Sequence, residues 1–350
     1  MEAKKLNLGD MLKNLQSGEI QLPDFQRDWT WDDEKIKSLL ESVIRNFPIN
    51  SIMLLECNSN DTKFSYRKIA GVEKTEREPK YLILDGQQRL TSLFGALFSG
   101  EPVKFKKSKK EFFYYVDMKK AVDVVKNSAE VEDLIISVPP SRKLKAKGKN
   151  WDLSTPEKEF AASMFPLNKI FKGSRQWLRA YERFHGDDIA VELTDFFDEE
   201  VINKISSYEI AIIGLEKTTS LAAVCKIFEN ANKGVEKLSV FDLLTSIFAA
   251  KTDADGKPIE LRKDWEEIHK EFDGMNLKIL ADIECSEYIT ALTLLVTHKS
   301  DKKSASCKEE DILKLNYNDY LRYKGEIIGG FVAAGKFLEE EGITTTKYLP

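Results

Sequence analysis

The chain has 350 residues and a mass of 40.0 kDa, more than one small domain needs and enough for two. Hydrophobic residues make up 42% and charged residues 32%, the balance of a soluble globular chain, and no apolar run approaches the ~18 residues of a membrane span, so no membrane partner is expected. A formal net charge of −5 excludes a protein whose whole surface coats nucleic acid and leaves room for a local basic patch.

In chain order, Asn7 to Gln16 reads as a short helix closed by Gly18, followed by an extended Glu19–Leu22 that Pro23 ends. Ile36, Leu39, Leu40, Val43 and Ile44 recur at helical spacing, with Thr30 or Asp32 as N-cap and Phe47-Pro48 as the stop. Ile49 to Glu56 is strand-like, 57–79 reads as a polar loop or hairpin tip, and Tyr81–Leu84 is a short buried strand. The helix after it carries Leu90, Leu93, Phe94 and Leu97 on one face and ends at Gly100. Phe112–Val116 reads as a strand, and 119–206 as mostly helical with loops at Pro139-Pro140 and around Lys143 to Asn150. Tyr208–Leu215 alternates as a strand, Ser220–Asn232 is a helix closed near Gly234, and Ser239 opens another helix with Asp242 as the capping-box acid. Beyond Lys251 nearly everything reads helical up to Glu341, and the extended stretch from Thr344 to Pro350 reads as an interdomain junction. The layout is α+β, with a small sheet early and a helical second half.

Histidines at 185, 269 and 298 and cysteines at 57, 225, 285 and 307 are dispersed. They assemble no zinc knuckle, disulfide framework or histidine-led nuclease finger, and reduced thiols in a cytoplasmic protein are expected. Three segments stand out instead. The first, Leu82 to Thr91, runs from strand through Asp85-Gly86 into a helix that opens Gln87-Gln88-Arg89. Such a turn points free N–H groups and the positive end of the helix dipole at one spot, an anion site. There Arg89 suits phosphate, Gln87 and Gln88 orient water or bond a phosphate oxygen, and Asp85 holds a metal ion or positions a nucleophile. On the physics alone, ordinary helix capping, with Asp85 closing the helix and Arg89 solvated, is the favoured account of the same residues, and the Walker-type phosphate loop is absent. The second, Pro23 to Trp31, offers Gln26 and Arg27 beside two tryptophans that packing on the neighbouring helix would explain. The third, Phe228 to Leu244, is a helical hairpin with Asn232 and Gly234 in its turn and Asp242 in the next first turn.

As a set, Pro23-x-Phe25-Gln26-Arg27 with Trp31, Asp85-Gly86-Gln87-Gln88-Arg89-Leu90-Thr91, and Phe228, Asn232, Gly234, Leu238 and Asp242-Leu243 resemble the N-terminal domain family of GmrSD-type, modification-dependent restriction enzymes. The resemblance covers roughly residues 1–250, with 119–206 as a variable insertion, and leaves 251–350 as a helical domain leading toward a C-terminal domain. It implies a ParB/sulfiredoxin-like small mixed sheet with flanking helices that binds a nucleoside triphosphate with Mg²⁺ and hydrolyses it. It also implies that such a domain controls a DNA-cutting nuclease, on the same or a second chain, in anti-phage defence. Carried over, Asp85, Gln87, Gln88 and Arg89 are the catalytic candidates, Asp85 is the metal ligand, and Gln26, Arg27, Gly86, Asn232, Gly234 and Asp242 bind nucleotide. Self-association stays open.

Contact with DNA is a separate expectation. Lys106, Lys107, Lys109 and Lys110 form one basic cluster and Lys143, Lys145 and Lys147 another, each suited to sequence-independent phosphate contact or to a solvated loop. Two further readings compete with a nucleotide hydrolase. One is a DNA-recognition module without turnover, with Arg27 and Arg89 on DNA phosphates; the other is a nuclease built on Asp61 and Glu78-x-Lys80, a weak match because Pro79 interrupts it.

Overall fold

The computed structural model describes residues 2–57, 64–73, 77–105, 108–127, 130–146, 149–220, 223–224, 226–228, 239–252, 259–275, 277–300 and 305–345. The chain divides into two compact units. The first comprises 1–22, 27–59 and 67–216; the second comprises 23–26, 60–66 and 217–350.

The first unit is α+β, as expected. Its main sheet uses β1 (Glu2–Asn7), β2 (Ile20–Pro23), β3 (Ile52–Glu56), β5 (Tyr81–Asp85) and β12 (Glu209–Leu215), with β4 (Tyr66–Arg67) a two-residue strand. The order is β1-β12-β3-β5-β2, alternately antiparallel and parallel, so the sheet is mixed. Strand β1 was not foreseen: Glu-Ala-Lys-Lys-Leu-Asn has no strand pattern and gains its conformation from a six-residue register against β12. Helices α1 (Leu8–Ser17), α2 (Asp33–Ile44) and α3 (Gln87–Leu97) supply the core with Leu8, Met11, Leu12, Ile36, Leu40, Leu90, Leu93 and Phe94, all fully buried or nearly so. Their starts follow local chemistry. The Asn7 side chain accepts from Gly9 N and Asp32 from Lys35 N, while left-handed Gly18 closes α1.

The region 119–206 is mostly helical, as expected, but it also holds strands where loops were expected. Beyond β6 (Val103–Lys104), β7 (Glu111–Asp117) and α4 (Met118–Asn127) it contains β8 (Ile135–Val138), β9 (Lys143–Ala146), β10 (Lys149–Asp152) and β11 (Met164–Pro166). Strand β7 pairs antiparallel with β6, β8 and β11, a second sheet. The expected lysine loop is instead the β9–β10 hairpin. Its strands escape a sequence reading because Leu144 and Trp151 are their only large apolar residues; those two pack on the cluster of Tyr115, Val138 and Met164 and set the register. Helices α5 (Pro156–Ala161), α6 (Ser174–His185) and α7 (Asp188–Phe197) follow, and α7 continues through a π-helical turn, Asp198–Ile202, into α8 (Asn203–Ser206).

Two carboxylates tie this unit together. Asp33, in the first turn of α2, accepts from Tyr114 Oη of β7 at 2.9 Å and Ser137 Oγ of β8 at 2.7 Å. Burial, with Asp33 alongside, pushes the Tyr114 phenol far above its ordinary range, so it stays a donor. Glu159 of α5 is 3% exposed and accepts from Tyr115 Oη at 3.0 Å, Arg142 at 3.2 Å and Trp177 Nε1 at 2.8 Å.

The second unit is helical: α9 (Val240–Ala249), α10 (Leu261–Gly274), α11 (Lys278–Ala281), α12 (Cys285–Ser300), α13 (Glu309–Ile312) and α14 (Tyr317–Glu340). Phe25 lies edge-on to Phe64 and Phe228, with centroids 5.1 and 5.3 Å apart, and Ser65 N donates to Ser246 O. The start of α9 is a complete capping box. Ser239 Oγ accepts from Asp242 N, and Asp242 Oδ2 accepts from Ser239 N. Ser239→Ala should therefore lower stability by about 1 kcal/mol, the usual loss of an N-cap, measured as a shifted urea midpoint with unchanged slope. No helix among the described residues is long and apolar enough to cross a membrane.

Candidate nucleotide site

The site is built at the C-terminal end of β5. Leu82, Ile83 and Leu84 are fully buried, which fixes the strand, and Asp85 at its end emerges with its side chain 34% exposed. The next residue must reverse the chain into α3, and Gly86 does so at φ 95°. A Cβ there would overlap Ile52 Cδ1 of β3, so the position has both a conformational and a steric reason to be glycine. Helix α3 has no side-chain cap and no acid in its first turn, so its first N–H groups have no partner from either source.

Arg89 sits one turn into α3 and does not face solvent as expected of a phosphate ligand. Its side chain is 13% exposed and donates to Ile49 O at 2.5 Å and Asp85 Oδ2 at 3.0 Å. The spacing of four residues puts the guanidinium directly over the preceding strand end, so Arg89 orients the Asp85 carboxylate.

The glutamine pair is likewise turned inward. Gln87 Nε2 donates to Arg27 O at 2.7 Å. Gln88 Nε2 donates to Asp28 O at 3.1 Å, and Gln88 Oε1 accepts from Thr30 N at 2.9 Å, so its amide pairs with the loop as a neighbouring strand would. Both glutamines are buried, and their bonds fix the main chain from Arg27 to Thr30 against α3. Trp29 closes the clasp: its ring is buried beside Phe105 at 5.2 Å, and its Nε1 donates to Ser92 Oγ at 3.1 Å. Trp29 thus packs as expected of a structural tryptophan, and against α3. Arg27 is exposed, and its guanidinium makes no hydrogen bond or ion pair among the described residues.

The structure therefore joins Arg27, Asp85, Gly86, Gln87, Gln88 and Arg89 in one turn–loop assembly. Gln26 is buried and groups with the second unit. Asp242, also of the second unit, is engaged by its capping box and by Arg262. Asn232, Gly234 and Leu238 lie outside the described residues, as does most of the expected 220–232 helix. Lys80 donates to Glu19 at 3.0 Å while Glu78 is exposed and Asp61 lies outside the described residues, so no carboxylate–lysine cluster forms from those that are described. No group of three or more His, Cys, Asp or Glu gathers into a metal cage among the described residues. Of the four cysteines, Cys57, Cys285 and Cys307 form no disulfide among the described residues, and Cys225 lies outside them.

The sequence profile of the GmrSD restriction endonuclease N-terminal domain matches residues 8–249. The chain belongs to that family. The GmrSD N-terminal match covers the whole first unit after β1 and runs on through α9 of the second. An uncharacterized protein of Methanocaldococcus jannaschii is 31% identical over 326 residues, which cover 89% of this chain and 51% of that protein. The chain thus spans about half the length of this relative.

Proposed function

We propose that this chain binds nucleoside triphosphates at the Asp85–Arg89 turn, hydrolyses them, and thereby regulates a DNA-targeting, restriction-type defence protein in the cytoplasm. The observation that carries the reading is the pairing of an uncapped helix start with an exposed arginine held beside it. The α3 N–H groups and Arg27 form two positive edges that suit a polyphosphate. Asp85 would repel phosphate if alone, but a lone hard-oxygen carboxylate fits Mg²⁺, which is commonly held by one or two carboxylates together with the substrate's own phosphates. The absence of a larger acid cage among the described residues fits that mode of binding. In this reading Arg89 positions Asp85, Gln87 and Gln88 position Arg27, and Gly86 lets the phosphates approach the main chain.

The test is a panel of labelled nucleoside triphosphates with Mg²⁺, assayed for binding and hydrolysis by this chain. Arg27→Ala should weaken binding roughly 10- to 100-fold, the worth of one charge-assisted contact, and leave the fold unchanged because the loop is held by its main chain. Failure of every triphosphate to bind, or an Arg27→Ala variant of unaltered affinity, would sink the reading.

A further inference from the structure

Two lysine-rich segments separated by 31 residues of sequence leave the second sheet at the same end. The register places Lys104 of β6 opposite Glu111 and Val138 of β8 opposite Phe113, so the β6–β7 turn and the exit of β8 both lie at the N-terminal end of β7. Four residues after Val138, the Arg142 guanidinium lies 4.5 Å from the Phe113 ring centroid, and the β9–β10 hairpin starts there. Between them, residues 104–110 and 142–149 carry ten positive charges and no acid in sequence, of which Lys106, Lys107 and Lys147 lie outside the described residues. The flanking acids Glu111 and Asp152 lie 3.9 Å from Lys104 and 3.8 Å from Lys143, whereas Lys109, Lys110 and Lys145 are exposed and form no ion pair among the described residues.

The hairpin is mounted firmly. At its base Arg142 is held by Glu159 and by Tyr115 Oη, and Leu153 N donates to Arg142 O. Leu144 and Trp151 pack on the Tyr115 cluster, so strand alternation turns Lys143 and Lys145 to the opposite, outer face about 7 Å apart.

We propose that this end of the second sheet is a binding site for the phosphate backbone of duplex DNA, with the β9–β10 hairpin as a ribbon laid into or along the major groove. A two-stranded ribbon fits the major groove of B-form DNA, whereas the narrow major groove of A-form RNA excludes it. The net charge of −5 weighs against DNA contact by the surface as a whole, against which this basic end stands out. The proposal is independent of the nucleotide reading, because it uses none of the residues of that site.

The test measures binding of this chain to a fluorescent duplex between 50 and 200 mM salt. Lys109→Glu with Lys110→Glu, and Lys143→Glu with Lys145→Glu, should each lower affinity more than about tenfold and reduce the slope of log K against log salt by ~1.8, the signature of two lost phosphate contacts. Lys119→Glu, just beyond the opposite end of β7, should leave the slope unchanged. Glutamine at the same four lysines gives the same reading if a charge reversal unfolds the chain. Unchanged slopes in both double variants, an equal effect of Lys119→Glu, or tighter binding to duplex RNA or anionic lipid vesicles than to duplex DNA would overturn the proposal.

Discussion

Glu159→Ala should lower the stability of the first unit by about 3–5 kcal/mol, the loss expected when one partner of a buried charged pair is removed. The size follows from what the carboxylate satisfies. Without it, Tyr115 Oη and Trp177 Nε1, on side chains nearly or fully buried, lose their acceptor, and the Arg142 guanidinium is left 30% exposed with no counter-charge beside it. Glu159→Gln keeps a carbonyl for Trp177 and should cost less. Urea denaturation monitored by tryptophan fluorescence measures both. A midpoint for Glu159→Ala equal to that of the unmodified chain would show that solvent replaces the carboxylate and that the cluster is not structural.

Gly86→Ala should cost roughly 2–5 kcal/mol and abolish triphosphate binding. A non-glycine residue in the left-handed region costs roughly 1–2 kcal/mol, and forcing a methyl group against Ile52 adds ~1–3 kcal/mol. The two contributions separate in a double-mutant cycle. Gly86→Ala with Ile52→Ala should cost less than the sum of the single changes, because the overlap is relieved, and the remainder is conformational. Additive losses would show that the Ile52 side chain moves aside freely. The binding loss has its own cause: a residue driven out of the left-handed region shifts the main chain at 86, and with it the first N–H groups of α3.

The sequence made the main sheet and its three helices readable because their signals are local. Asn7, Gly18, Asp32 and Gly86 mark the ends, and the apolar faces of α1, α2 and α3 repeat at helical spacing. It also grouped Asp85–Arg89 with Gln26, Arg27, Asn232, Gly234 and Asp242, and of these the structure brings Arg27 and Asp85–Arg89 together. What it missed depends on partners distant in the chain. The glutamine pair read as ligand groups because nothing nearby in sequence shows that their amides would meet main-chain atoms about 60 residues earlier. Arg89 read as a surface cation because Ile49 O, its second acceptor, is 40 residues away. Strands β1, β9 and β10 are too polar to announce themselves, and only pairing makes them strands. The same limit concealed the convergence of the two lysine runs, which is a property of the β7 register.

The grip of Gln88 on Asp28 O and Thr30 N has an implication for descent. It holds the loop by main-chain atoms, so the path of the backbone is inherited from α3 whatever side chains stand there, proline at 30 excepted. A change at 27 therefore alters which side chain the loop presents and leaves its path intact. Changes at Gln88 carry no such freedom, because they release the loop itself. Among relatives, constancy is expected at 86 and 88.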